Sequence, residues 1–190
     1  MTFGNRHAVL AAVLAICTGA VARATVIVPA DLTELVAEST AIVHGRVVEV
    51  RAEWTEGRRA IESYVTLAAA TYLKGHLGER VTLRMPGGRL GAFRSIVVGA
   101  PEFREGDEVI VFLGNHGPSI PFLVGFSQGV YRVVVDAANG QRTVIPPAIM
   151  AAGGEPLRLV RGDGRRPAPT IEQFATDIRG LVAAAEAPRR

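Results

Sequence analysis

The sequence predicts a small, mainly β domain of mostly antiparallel strands, with an export signal before it and a helix at each end. Three observations carry this reading. Residues 61–74 alternate between two faces with a period of two and are rich in β-branched and aromatic side chains, the mark of a half-buried strand. The stretch AIVHGRVVEVRAEWTEGRRAIESYVTLAAATYLKG, from Ala41 to Gly75, reads as two such strands around a polar turn. Shorter apolar runs follow, punctuated by glycine, proline and asparagine, with no internal repeat or heptad.

Residues 1–24 read as a secretory signal. Arg6 and His7 form a basic start, Ala8 to Cys17 is apolar, and Ala22-Arg23-Ala24 is a small-x-small cleavage site. The apolar run is shorter than the ~20 residues of a membrane-spanning helix. Lipid attachment at Cys17 would want a small residue where Ile16 stands. The expected destination is therefore secreted or periplasmic, with no membrane after cleavage at Ala24. Cys17, the only cysteine, leaves with the signal, so residues 25 onward must cohere by their core without a disulfide. The formal net charge of +3 also shrinks, because Arg6 and Arg23 are removed and no acid is. A nearly balanced chain without a basic stripe and interleaved aromatics argues against a nucleic-acid partner.

Pro29 to Thr40 is expected to hold a short helix, with Asp31 as N-cap, Glu34 replying three residues later, and Leu32, Leu35 and Val36 as its apolar stripe. In the first long strand Ile42, Val48 and Val50 share one parity and Val43 and Val47 the other. Gly45 is placed at the switch, since glycine within a strand often marks a bulge or corner. In the second, Ile61 to Leu73 takes one face at every odd position. A strand this long should bend, and two bent strands begin a small closed barrel. Arg80 to Met85 is a third strand. Residues 86–107 break the rhythm, with Ser95 to Val98 as a short element inside an otherwise long connection. Glu108 to Leu113 is apolar on both parities and so reads as a strand covered on both sides. Strands are expected at Phe122 to Phe126 and Val130 to Val135, with Asn139-Gly140 turning the chain into Arg142 to Ile145. The β domain thus spans 25–145, an irregular connector 146–169, and a C-terminal amphipathic helix 170–185. Thr170 and Gln173 cap that helix, and Ile171, Phe174, Ile178, Leu181 and Val182 share a face.

No catalytic constellation emerges. Gly125-Phe126-Ser127-Gln128-Gly129 fits the G-x-S-x-G elbow, but that motif needs a helix after the serine and a histidine later in the chain. Here a strand follows, and His44, His76 and His116 all precede Ser127. The three histidines lack metal-ligand spacing, so no metal and no cofactor are expected. Pro86-Gly87-Gly88-Arg89-Leu90-Gly91 satisfies neither phosphate-loop pattern and reads as a glycine-rich turn. Arg161-Gly162-Asp163 in an Arg- and Gly-rich connector is chance. Lys74, the only lysine, sits at a strand end, where solvent exposure is expected. The remaining surface of interest is the 86–107 loop, with Gly87, Gly88, Arg89, Phe93 and Arg94 as binding candidates, since loops on a rigid sheet carry recognition.

The run Ala41-Ile42-Val43, a bent strand, a polar hairpin and a long strand ending in Leu73-Lys74-Gly75 resembles the amino-terminal domain of tissue inhibitors of metalloproteinases and netrin-like modules. The sequence is also similar to small exported bacterial proteins of unknown activity that share the K-G strand end, a G-G loop and a Q-G-x-Y stretch, here Gln128-Gly129-Val130-Tyr131. The resemblance covers residues 30–145 and implies an OB-like barrel. It further implies a non-enzymatic binding module whose partner is an exported protein, with a peptidase as the partner class the inhibitors suggest. The inhibitors reach the peptidase metal through an amino-terminal cysteine, which a chain beginning at Thr25 lacks, so that mechanism does not transfer. Two alternatives stand beside this. One is a small-ligand or polysaccharide binder using Trp54, Tyr64, Tyr72 and Tyr131. The other is an enzyme built on His44, His76 and Glu62.

Overall fold

The computed structural model describes residues 31–187 apart from 116, 118–119, 138, 148, 151–155 and 158–167. Residues 1–24, where an export signal is expected, His116 and the Arg161-Gly162-Asp163 tripeptide lie outside the described residues. Helix α1 (Leu32–Glu38) opens with the expected reciprocal cap. Asp31 Oδ1 accepts the Glu34 amide at 2.8 Å, and Glu34 Oε2 accepts the Asp31 amide at 3.2 Å. Two amides that a helix start leaves orphaned are thereby satisfied.

Strands β1 (Ala41–Trp54) and β2 (Ile61–Lys74) pair antiparallel along nearly their whole length, and β3 (Arg80–Pro86) pairs with β2. A separate hairpin, β4 (Gly88–Leu90) and β5 (Phe93–Ser95), follows. Then come β6 (Glu108–Gly114), β7 (Phe122–Leu123), β8 (Val130–Val135) and β9 (Arg142–Ile145). The neighbours run β1-β2-β3-β7-β6, and β6 pairs back onto β1, so five strands form a ring from which β8 and β9 continue. Its pairings are antiparallel except β3–β7, a parallel contact at Arg84 and Phe122.

Ring closure needs bent strands, and three register shifts between β1 and β2 provide the bends. Val48 is left unmatched on β1 and stands exposed, and across it the inward side chains pass from Val43 and Val47 to Val50. The change of face therefore falls at Val48, not at Gly45. Gly45 meets a different need: a Cβ there would lie 2.5 Å from the Ala68 carbonyl oxygen, so β2 can approach this closely only past a glycine. On β2, Val65, Leu67 and Ala69 point inward, but beyond the unmatched Ala70 it is Tyr72 that packs inward while Leu73 turns out. The single alternation expected through Leu73 fails because an inserted residue inverts every later side chain.

Two cores result, one on each side of the sheet. Inside the ring, Val43, Val47, Val65, Leu67, Val81, Leu83, Val109, Val111 and Leu113 are buried together with Phe103. Outside it, Ile42, Ile110, Phe112, Tyr131, Val133 and Val144 meet Leu35 and Val36 of α1 and Ile171, Phe174 and Ile178 of α2 (Ile171–Glu186). The double apolar parity of β6 is explained by its membership of both cores. Helix α2 starts with the Thr170–Gln173 capping box and docks on the sheet, where the Val144 amide also bonds the Pro169 carbonyl at 2.9 Å.

Four expectations are corrected. The Phe122–Phe126 strand stops at Leu123, and Phe126–Gly129 is a 3-10 turn entered through Gly125 at φ 66°. The short element in the long loop is the β4–β5 hairpin ending at Ser95, not a strand beginning there. Within the connector, β10 (Ile149–Met150) and β11 (Pro156–Leu157) pair. Lys74 is half-buried, and its Nζ donates to the Val36 carbonyl at 2.7 Å, capping the last turn of α1.

Candidate functional site

The β4–β5 hairpin folds back across the ring where β1 and β2 separate from the inner core. Two glycines allow this. Gly87 (φ 90°) gives its amide to the Ile61 carbonyl at 2.8 Å and accepts the buried Ser63 hydroxyl at 2.8 Å. A Cβ on Gly88 (φ 143°) would lie 2.3 Å from Ser63 Oγ, so only a glycine lets the hairpin rest this close.

Beyond the glycines the hairpin and residues 96–104 enclose an open cleft of about 400 Å³. Its floor is Val50 and Ala52 of β1, Ser63 and Val65 of β2, Met85 of β3, and Phe103. Its walls carry Arg89 and Arg94 on one side and Ile96, Val97, Glu102 and Arg104 on the other. The second wall is fixed at both ends. Arg132 donates to Asp107 Oδ2 at 2.7 Å and to the Glu102 carbonyl, and the Gly106 amide bonds Val47 at 2.8 Å. Further up, the Ser127 amide holds the Gly99 carbonyl at 3.0 Å. That bond places the serine of the G-x-S-x-G stretch in scaffolding, and strand β8 follows it directly.

Large apolar side chains stand in the open here: Ile96 of the cleft wall is 73% exposed, Val98 two residues further along the chain 81%, and Phe126 48%. Phe126 also holds φ at 53°, a left-handed conformation uncommon for an aromatic residue. It borders a second depression of about 270 Å³ that shares Met85, Pro86, Ala100 and Pro101 with the first. Exposed apolar surface collected in one place marks an interaction site more often than scattered residues do.

The rim is basic. Arg94 Nη2 lies 2.8 Å from Glu102 Oε1, an exposed pair of small energetic worth. Among the described residues the Arg89 and Arg104 guanidiniums have no ion-pair partner.

Of the five candidates, Gly87, Gly88, Arg89 and Arg94 line the cleft. The glycines do so as backbone already committed to Ser63 and Ile61. Phe93 faces away, packed edge-on against Trp54 with ring centroids 5.3 Å apart, and Arg58 stands 5.8 Å from the Trp54 ring. The sequence reading missed Ile96, Val97, Phe103, Arg104 and Phe126. An apolar run inside a glycine- and proline-rich connection was the only signal for Ile96 and Val97, and Phe126 stands apart from that connection, in the Gly125–Gly129 stretch.

The residues of the two alternatives are scattered. His44 opposes Thr71, and Glu62 opposes Glu53, nine positions further along β1, a separation of roughly 30 Å at ~3.3 Å per residue. His76 stacks on Tyr72 in the turn after β2, with centroids 4.6 Å apart. Tyr131 is buried between Phe112 and Phe174, and Tyr64 lies under Arg51.

His44 belongs instead to a charged knot on the outer face. Its Nε2 lies 2.6 Å from Glu108 Oε1, and Arg142 and Arg46 contact the same carboxylate. Burial first, then the Arg142 and Arg46 guanidiniums, hold the His44 pKa below its usual 6.5. The carboxylate is shared by two permanent cations, so the neutral ring suffices and donates Nε2–H to it. Among the described residues no three His, Cys, Asp or Glu side chains group as a metal ion would require, and no helix is long and apolar enough to cross a membrane. Comparison of the chain with family models, curated proteins and solved structures finds no match.

Proposed function

We propose that this chain is an exported, non-enzymatic protein-binding module built on an OB-like barrel, and that it binds its partner through the cleft beneath the β4–β5 hairpin. The observation that carries the reading is one open cleft lined by exposed Ile96 and by Arg89 and Arg104, which have no ion-pair partner among the described residues, with Phe126 exposed on the adjoining depression. A monomer without a partner gains nothing from holding these side chains in water on a doubly anchored wall. The five-strand ring with one parallel closure supports the OB-like assignment. An exported peptidase is the first partner class to test, from the resemblance to metalloproteinase inhibitors. The scatter of His44, His76 and Glu62 favours binding over catalysis.

The test is capture. The purified chain is immobilised and exposed to exported proteins of its source, beside an Arg89→Ala/Arg104→Ala variant. A partner retained in stoichiometric amount by the native chain and lost by the variant is the expected result. Equal retention by both would remove the cleft from the proposal, and no retention by either would end the protein-binding reading.

A small-ligand or polysaccharide binder remains the second reading, favoured by one feature, the exposed Phe93 edge-on to Trp54. Retention of the chain on a polysaccharide matrix, abolished by Trp54→Ala, would support it.

A further inference from the structure

We infer that the cleft takes an extended acidic segment of the partner, in which apolar residues alternate with carboxylates. The inference rests on the protein-binding reading above and specifies the chemistry of what is bound. Its basis is charge complementarity laid over an apolar floor. Half-buried Val50 and Ala52, above the packed Met85, Phe103 and Val65, form the floor and Ile96 and Val97 one wall, so the cleft offers apolar surface to apolar side chains. The rim carries Arg89, Arg94 and Arg104. Glu102, the one acid lining the cleft among the described residues, is already taken by Arg94. Two guanidiniums are left facing a site that is part apolar and part water.

A guanidinium presents a planar fork of donors that matches a carboxylate. It gains more from such a pair beside low-dielectric surface than in bulk water. An extended chain sends successive side chains to opposite faces. It can therefore set every second residue on the floor while the residues between them meet the arginines. A helix would present its apolar stripe every three or four residues, which does not match carboxylates at every second position. A basic or neutral segment would leave Arg89 and Arg104 facing like charge or nothing.

The test uses the full chain and short fluorescent, end-blocked peptides followed by anisotropy. One alternates leucine with glutamate; its controls alternate leucine with glutamine, leucine with lysine, and glycine with glutamate. The leucine–glutamate peptide is expected to bind, and to bind at least about tenfold more tightly than the glutamine form, with affinity falling as salt rises. Arg89→Ala and Arg104→Ala should each cost this peptide about three- to tenfold without moving the melting temperature, since both side chains are exposed. Arg94→Ala should cost at least as much, because it also leaves the Glu102 carboxylate unpaired at the rim, where it repels the peptide's glutamates. An Arg89→Glu/Arg104→Glu variant should reverse the preference towards leucine–lysine.

Equal affinity for the glutamate and glutamine peptides overturns the inference while leaving the cleft a protein-binding site, which the capture experiment decides separately. Equal affinity for glycine–glutamate overturns the apolar half of it. A single-stranded oligonucleotide bound as tightly at the same salt overturns it too, because recognition would then be of any polyanion. Absence of peptide binding at millimolar concentration, with a captured partner indifferent to Arg89 and Arg104, overturns it outright.

Discussion

Gly88→Ala tests whether the hairpin is seated as the cleft requires. An added Cβ would stand 2.3 Å from Ser63 Oγ, at a φ of 143° that side chains rarely adopt. Ser63 is buried and its hydroxyl donates to the Gly87 carbonyl at 2.8 Å, so it cannot turn away without leaving that carbonyl short of a partner. Two costs add: backbone strain of ~1–3 kcal/mol, and the lost hydrogen bond with its desolvation, ~1–2 kcal/mol. The expected loss is ~2–5 kcal/mol, or roughly 4–20 °C in melting temperature for a domain this size. Urea unfolding of the native chain, Gly88→Ala, Ser63→Ala and the double variant separates the two costs. With Ser63→Ala the clashing oxygen is gone, so Gly88→Ala should then cost only its backbone strain, and the cycle should show ~1–2 kcal/mol of coupling. Additivity within ~0.5 kcal/mol would refute the contact between Gly88 and Ser63 as the seat of the hairpin.

Three other outcomes follow from the same structure. Because the folded-state pKa of His44 lies below its unfolded 6.5, the unfolded chain binds the extra proton first; stability should hold above pH 6.5, fall as pH drops below it, and fall less steeply in His44→Gln, as urea midpoints across pH will show. Gly45→Ala drives a Cβ to within 2.5 Å of the Ala68 carbonyl oxygen, a backbone atom in a paired strand, and should destabilise by ~2–4 kcal/mol in thermal unfolding, more than Ala69→Gly beside it. Lys74→Met keeps the stem but removes the donor to the Val36 carbonyl; a loss of ~0.5–1.5 kcal/mol is expected, with faster amide exchange in the last turn of α1 and little change in β2.

Much of the scaffold was legible because local chemistry names its own structure. Asp31 with Glu34 and Thr170 with Gln173 announce helix starts at the residues where α1 and α2 begin, and β6 declares its double burial through apolar residues on both parities. Alternation misplaced the bends, since Val48, Ala70 and Leu73 are unmatched only with respect to a partner strand, and pairing is not written in either strand alone. The cleft was half legible. Glycines at 87 and 88 with arginines at 89 and 94 pointed to the loop. The direction of Phe93, against Trp54 and not into the cleft, was not legible because a two-residue turn at Gly91 and Ala92 sets it. Arg104 was invisible, because it reaches the rim only through the Arg132–Asp107 pair that folds its turn.

The position of the exposed apolar residues is itself informative. The ring is closed strongly on one side, where β1 and β2 share a long ladder, and weakly on the other, where β3 meets the two-residue β7 at Arg84 and Phe122. Phe126 lies beside that weak seam, in a depression lined also by Arg84 and Phe122, and Ile96 lines the neighbouring cleft that shares Met85 and Pro86 with it. A fold minimising its own free energy would place its best packing there. Instead the hairpin is held by Ser63 and two glycines, and residues 96–104 are tied at Gly99 to Ser127 and at Glu102 to Arg132 of β8. Each tie holds the walls apart, when the same apolar side chains could collapse into the gap at a gain of ~1–2 kcal/mol apiece. Walls that are held open at a cost to stability are expected where a second surface completes the packing.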